Sequence, residues 1–486
     1  MRVKVFLSII IVLALVFAIF LIVSLYQYYQ LTMTPQPLST QQRTPMLQPT
    51  PTRRYPNGRY MFGTLETANG EIFSKLGLND TYISQYEHSM GVDISNITIS
   101  WQDYEIADGV YNENVLNIAT NNIKIFLQAG QKVDVQLAIH YAPSWVMQLP
   151  DAYYVNQYGV TTPNIDGYND PNYTFNEKIR EKVKDFELHT LREIQVKIGL
   201  QNIWDFRIDA GYGGEANYNF SNDGQGHTNS YWAYDVNAQG IGDNLPAGVS
   251  PTPFPWWKPG QRTYNGQPFT VSQVQEWYNW YFNSRMNFYN WQVLLYRNTG
   301  YTHYLTFQTP GFGTRPDEYT KNIDNYLDGS GDPNHTMSRA AVWQNFYPAI
   351  INKTKIIAYI SSIADGSGVP VNNLCQPDDV SVNFDTDPIV DTWSAVRFVS
   401  YIADKYGFIK GGENPGYGGE GTNTDYGITM LNNAGKQMAS CGLIGMFWAH
   451  DEQLYATTNV PQANMITLAD YAKVIAQYNE GNLTSH

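Results

Sequence analysis

From Tyr60 onward, short apolar runs alternate with longer segments in which apolar residues recur at helical spacing. The runs Tyr60–Leu65, Ile94–Trp101, Val133–Ile139, Ile203–Ile208, Tyr304–Phe307, Ile356–Ile360, Gly407–Ile409 and Leu443–Trp448 read as strands. Between and after them, Val115–Ala129, Glu177–Ile198, Ser272–Tyr296, Ser338–Ile351, Pro388–Lys405, Tyr426–Ser440 and Leu468–Tyr478 read as helices. Eight strands alternating with helices predict a (β/α)8 TIM barrel with long loop insertions. A doubly wound open sheet is the alternative that suits the same alternation. The insertion Phe220–Pro268 is too long for a bare connection and falls where a barrel carries its site.

A different pattern precedes Tyr55. Arg2 and Lys4 lead into an uninterrupted apolar run from Val5 to Leu25, 21 residues. At about 1.5 Å per residue that run crosses a hydrocarbon layer of roughly 30 Å. No small-x-small cleavage site follows; Tyr26, Tyr28 and Tyr29 come instead, and tyrosine suits the membrane interface. Residues 1–30 are therefore expected to be a transmembrane signal anchor, single-pass in the cell membrane, with the bulk of the chain extracellular. A cleaved signal peptide is the rival reading. Residues 31–54, rich in Pro, Thr and Gln, are expected to be a linker, and 55–486 the folded domain. Seven Asn-x-Ser/Thr sequons, Asn79 and Asn352 among them, fit an exterior location.

Composition narrows the partners. The net charge of −14 argues against a nucleic-acid backbone, whose binding rests on neutralising phosphates. Aromatics make up 14% of the chain, with 37 Tyr and 12 Trp, and flat rings suit the C–H faces of sugars as well as a core. Cys375 and Cys441 are too few for a disulfide scaffold. They fit one disulfide or two buried thiols equally.

Two stretches carry the chemistry: Asp209-Ala-Gly-Tyr-Gly-Gly-Glu215 and Ile409-Lys-Gly-Gly-Glu413. Each places a glutamate just past two glycines at the end of a strand. The strand ends of a barrel line one mouth, which here would gather Glu66, Trp101, His140, Asp209, Glu215, Gln308, Asp365, Glu413 and Trp448. Strands four and seven lie on opposite sides of an eight-strand ring, so Glu215 and Glu413 would face each other. Two opposed carboxylates are what cleavage of a glycosidic bond requires: an acid for the leaving oxygen, and a nucleophile or base opposite. Glu215 is the expected acid/base and Glu413 the expected nucleophile or base, with Glu420 as fallback. Trp101, His140, Trp145, Asn217, Trp256, Trp257 and Trp448 are the expected substrate-binding residues. A non-catalytic carbohydrate-binding surface barrel is the alternative.

The residues also resemble a known group. Trp101-Gln-Asp-Tyr-Glu-Ile-Ala-Asp-Gly-Val-Tyr111, His140-Tyr-Ala-Pro-Ser-Trp145 and the strand-ending Trp448 look like the large clan of (β/α)8 retaining glycoside hydrolases. Within it the chain is most similar to the β-galactosidase branch, with some similarity to β-amylases. That resemblance implies an acid/base on strand four and a nucleophile on strand seven. One departure stands out. The clan usually has Asn directly before the strand-four glutamate, whereas here Gly214 precedes Glu215 and Asn217 follows. Gly-Glu followed by Asn-Tyr is closer to the β-amylase motif, whose enzymes invert.

Other motifs carry less. Gly211–Ala216 and Gly416–Gly421 both match a dinucleotide-binding string, but neither opens the first βα unit. His450-Asp-Glu452 and the scattered histidines lack metal-ligand spacing, and Asp328-Gly-Ser-Gly-Asp332 reads as a solvated turn rather than a calcium loop. No Gly-x-Ser-x-Gly elbow occurs. Neither cofactor nor metal is expected.

Overall fold

A computed structural model describes residues 58–65, 71–162, 169–208, 211–311, 313–364, 374–414, 428–449, 451–455 and 466–479. The expected anchor and linker lie outside the described residues, among which no helix is long and apolar enough to cross a membrane. Eight parallel strands close into a barrel: β1 (Met61–Thr64), β2 (Ile94–Ser100), β3 (Lys132–Ala138), β4 (Asp205–Arg207), β5 (Tyr304–Thr309), β6 (Ile356–Ile360), β7 (Ile409–Asn414) and β8 (Gly445–Trp448). Closure comes from β1 pairing in parallel with β8, Met61 opposite Gly445 and Thr64 opposite Trp448. An open doubly wound sheet has no such pair, so the barrel expectation holds.

One main helix follows each strand: α1 (Asp80–Ser89), α2 (Glu113–Ala129), α3 (Glu177–Lys197), α4 (Val271–Asn298), α5 (Trp343–Ala349), α6 (Ala395–Tyr406), α7 (Ile428–Cys441) and α8 (Leu468–Asn479). The pattern of apolar positions missed α1. Ile83 is the only aliphatic residue in Asp-Thr-Tyr-Ile-Ser-Gln-Tyr-Glu-His-Ser, so the helix shows little apolar period. Its start is set instead by Asn79, whose side chain accepts from the Tyr82 amide 3.0 Å away. The expected helix over 338–351 is shorter in fact: it begins at Trp343, after tight turns through Thr336–Ala341. The segment 388–405 is split into a 3₁₀ turn, Pro388–Thr392, and α6, which is capped by Ser394.

Strand alternation divides the interior. Val133, Val135 and Leu137 of β3, Leu305 and Phe307 of β5, and Ile356, Ala358 and Ile360 of β6 face the helices and form the main core. Met61, Ile94, Ile357, Tyr359, Ile444 and Phe447 form a second cluster with Trp204, Tyr304 and Ile409. This smaller plug closes the lower part of the barrel axis and leaves the polar inward residues above it. The insertion between β4 and α4 packs on the 28-residue α4, capped by the reciprocal pair Thr270 and Gln273. Buried Trp232, Trp257, Trp277 and Tyr281 join the two. Cys375 and Cys441 form a disulfide, their Cα atoms 5.0 Å apart, which ties the β6–α6 connection to the end of α7.

Candidate active site

The β7 strand runs further than its apolar residues suggest. Ile409, Gly411 and Glu413 point into the barrel, while Lys410, Gly412 and Asn414 point outward, so Glu413 sits within the strand and not in a turn beyond it. Two glycines fit here for steric reasons. A Cβ on Gly412 would fall 2.6 Å from the Ile360 carbonyl oxygen, and one on Gly411 would press on Ile357 and Tyr359.

Glu215 is held by a turn. Gly211 has φ +124°, and a Cβ there would lie 2.2 Å from the Asn217 carbonyl oxygen; Gly213 and Gly214 also lie in the left-handed region. The Ala216 amide donates to the Gln308 carbonyl at 2.7 Å, and the Tyr218 amide donates to the Arg339 carbonyl at 2.9 Å. Below this turn the buried Arg285 of α4 donates to the Asn217 carbonyl through Nη2, and to Tyr154 and Tyr289 through its other nitrogens.

Both carboxylates open to the same mouth, and Gln308 of β5 joins them. Its carbonyl anchors Ala216, next to Glu215, and its side-chain amide donates to Glu413 Oε1 at 3.3 Å. Glu413 Oε2 accepts from Tyr359 Oη at 2.9 Å and from Arg207 Nη1 at 3.3 Å. Arg207 also donates through Nε to Asp134 Oδ2 at 2.6 Å and through Nη2 to Tyr359 Oη at 2.9 Å. Glu215 accepts from Ser361 Oγ at 3.1 Å, Asn217 Nδ2 at 3.1 Å and Arg339 Nη2 at 3.3 Å.

Burial governs the titration of both acids. It pushes Glu413 up to about 7 against the pull of Arg207 and the Tyr359 hydrogen bond, and the charge of Glu215 pushes the same way. Burial also raises Glu215, while Arg339, Ser361 and Asn217 hold it back. The mouth thus carries two acids whose titration burial shifts upward. Among the described residues no group of His, Cys, Asp and Glu is arranged to hold a metal ion. Asp332, in the turn weighed as a calcium loop, spends its carboxylate on the Met337 and Asn334 amides and on Thr336.

The expected substrate-binding residues separate into groups. Asn217 meets Glu215, and its amide is spent on that carboxylate. Trp145 is half-buried, its indole N–H donated to the Glu105 carbonyl, and His140 is buried against Tyr141. Trp256 is 50% exposed, whereas Trp257 is sealed beneath Phe269 and Trp277. Trp101 turns into the helix layer, stacked on Phe186, with its indole N–H on Glu105 Oε2 at 2.7 Å. Trp448 also turns away: Phe447 takes the inward place on β8, and Trp448 packs outward near Tyr471. As placed, Trp101, Trp257 and Trp448 are buried and offer no ring face to the mouth, which corrects the expectation that they bind substrate. In each case alternation along a strand or a covering loop assigns the indole to packing. Glu66, Asp209, Asp365, Glu420 and His450 lie outside the described residues.

Sequence reasoning missed Asp134, Arg207, Arg339, Tyr359 and Ser361. A signal existed for the first two. Asp134 interrupts Val-Asp-Val, and Asp205 and Arg207 flank Phe206, so each charge falls on the alternate face of an otherwise apolar strand. Arg339 and Ser361 carry no such mark, because loops bring them in.

With this geometry in view, solved structures supply the comparison. No protein-family model matches the chain, and no curated protein does. The catalytic domain of β-amylase from Paenibacillus polymyxa superposes with a TM-score of 0.57 at 12% identity, over 87% of this chain and 99% of that one. This chain has the fold of that barrel. Two β-galactosidases share it, from the psychrophilic Marinomonas ef1 (TM-score 0.52, 12% identity) and from Bacillus circulans sp. alkalophilus (0.52, 8%). They match over 86% and 88% of this chain, but over only 59% and 57% of their own lengths. At these identities the shared feature is the barrel itself; the chemistry must be argued from the mouth.

Proposed function

We propose that the chain is a glycoside hydrolase that cleaves an O-glycosidic bond of an oligo- or polysaccharide through Glu215 and Glu413. The observation that carries this reading is the meeting of a buried Glu413 and a partly buried Glu215 at one barrel mouth, joined by Gln308 and close enough that the charge of Glu215 raises Glu413. In this reading Glu215, raised by burial, gives its proton to the departing glycosidic oxygen. Glu413 then acts in one of two ways. As nucleophile it bonds to the anomeric carbon, and water later releases the sugar; as base it takes a proton from a water that attacks in one step. Arg207 and Tyr359 favour its ionised form in either case. The barrels that share the fold include a β-amylase and β-galactosidases, which is consistent with a carbohydrate substrate.

The ion pair between Arg339 and Glu215 favours the second reading, a carbohydrate-binding barrel without turnover, because a cation beside Glu215 opposes the protonated form that an acid needs. One experiment separates the two. Glu215→Gln and Glu413→Gln, assayed on a panel of aryl glycosides, lose activity in the enzyme reading; turnover by the unsubstituted protein with full retention by both variants sinks the assignment. Sugar binding without any turnover supports the second reading. Proton NMR of the first anomer released assigns Glu413: retention makes it the nucleophile, inversion the base.

Display outside the cell on the apolar run Val5–Leu25 belongs to the same proposal. The Cys375–Cys441 disulfide supports it, since such bonds persist in oxidising compartments. Protease treatment of intact cells that leaves the domain uncut argues against it.

A further inference from the structure

The chemistry above uses Arg207 but not its second anionic partner, Asp134; the side chains of Asp134 and Arg207 are exposed by 1% and 3% respectively. The pair lies at the middle height of the barrel, beneath the mouth. Asp134 and Asp205 are opposite one another on β3 and β4, and Arg207 reaches back from the next inward position to Asp134. We propose that Asp134 is a positioning residue that draws the Arg207 guanidinium toward itself and so leaves Glu413 only weakly paired. The inference rests on the reading of Glu413 as nucleophile or base.

Distances set the order of partners. Arg207 is 2.6 Å from Asp134 and 3.3 Å from Glu413, while charge-assisted bonds to carboxylates usually lie near 2.7–2.9 Å. The guanidinium has little freedom to swing over. Its carbon lies 4.4 Å from the centre of the Tyr359 ring and 5.1 Å from that of Phe447, and Nη2 is tied to Tyr359 Oη. A full pair with Glu413 would make that carboxylate a poorer base and a poorer nucleophile. A cation shared with Asp134 still steadies its charge without disabling it.

The surrounding groups fit this division. Burial raises Asp134, while Arg207 and, to a smaller extent, Asn96 of β2 favour its charged form. Asp205 of β4 is pushed well above its ordinary value by burial and by the charge of Asp134, which disfavours a second anion beside Arg207. Thr306 of β5 donates to Asp205 Oδ2, and among the described residues Tyr359 of β6 and Glu215 beyond β4 are the other titratable groups that act on Glu413. The inward residues of β1 and β8 are Met61, Gly63, Gly445 and Phe447, which offer no charge.

The test reads Glu413 itself. Protein labelled with carbon-13 at glutamate carboxyls is titrated by NMR, and Glu413→Gln identifies the resonance. In the unsubstituted protein Glu413 should be half-ionised near neutrality. Asp134→Asn should lower that midpoint by about one pH unit or more, since Arg207 then has one anion to serve. Arg207→Gln should raise it. A midpoint below pH 5 in the unsubstituted protein, an unmoved or raised midpoint in Asp134→Asn, or an unmoved or lowered one in Arg207→Gln overturns the proposal. Circular dichroism checks folding; if Asp134→Asn does not fold, the other two readings decide. Activity is not measured, so failure of the glycosidase reading shows separately, as turnover kept by both glutamine variants.

Discussion

Arg339 grips the Glu215 segment twice. Its Nη2 lies 3.3 Å from Glu215 Oε2, and its own carbonyl accepts the amide of Tyr218, three residues further on. Arg339 thus helps fix where Glu215 sits through its backbone, and its side chain restrains how readily Glu215 holds a proton. Removing the charge while keeping the bulk, as in Arg339→Met, should raise the titration midpoint of Glu215, because the cation stabilises the ionised form. If Glu215 is the acid, the alkaline limb of kcat/KM moves to higher pH. A pH–rate profile checks this, and a limb moving to lower pH contradicts it.

Tyr359 acts on the other carboxylate, donating to Glu413 Oε2 at 2.9 Å while receiving from Arg207. Tyr359→Phe removes one of the bonds that hold Glu413 down, so Glu413 should titrate above its present value of about 7. The acid limb of the profile then moves up, and kcat/KM at neutral pH should fall by roughly tenfold to a hundredfold, the cost of losing one well-placed donor. An acid limb that stays in place would show that Glu413 is not the ionising base.

The barrel was legible because its outward strand residues and the apolar stripes of its helices repeat along the sequence, and the two glutamates were legible because each follows a Gly-Gly pair. What surrounds them was less so. The β7 strand continues through Gly411 and Gly412, residues poor in strand propensity that are kept because neighbouring atoms leave no room for a Cβ. Arg339 arrives on a connection of tight turns, next to Ala340 at φ +57°, and nothing in local sequence announces where such a connection ends up. Trp101 and Trp448 illustrate the opposite error. Both stand at strand ends, where one residue of offset exchanges the mouth for the helix layer.

Gly412 gives a test of packing apart from chemistry. A methyl group at this position meets the Ile360 carbonyl oxygen at 2.6 Å, a backbone atom fixed by the β6–β7 ladder. Gly412→Ala should therefore destabilise by about 1–3 kcal/mol. Because the shift falls beside Glu413, activity should drop further than stability alone explains. Thermal unfolding measured beside kcat checks both. A variant as stable and active as the parent would mean that β6 and β7 are further apart than described.

Stability should also depend on pH through a carboxyl outside the mouth. Glu87 of α1 is fully buried, where it accepts from Thr64 Oγ1 at 3.1 Å, and burial pushes it up to about 7 from an ordinary 4.5. Below 4.5 the folded and unfolded chains both hold the proton, and the raised value costs nothing. Between 4.5 and 7 the unfolded chain has released its proton while the folded chain keeps it, so stability falls as pH rises across that window and levels off above it. Asp235, also raised to about 7 by burial, contributes with the same sign, as does Glu413. The melting temperature should accordingly be higher near pH 5 than near pH 8, and Glu87→Gln should flatten the slope by removing its share. The Thr64 contact survives that substitution through the remaining amide oxygen. A Glu87→Gln slope equal to the parent's would mean that Glu87 is not raised inside the fold, and a parent that melts higher at pH 8 would mean that other groups outweigh it.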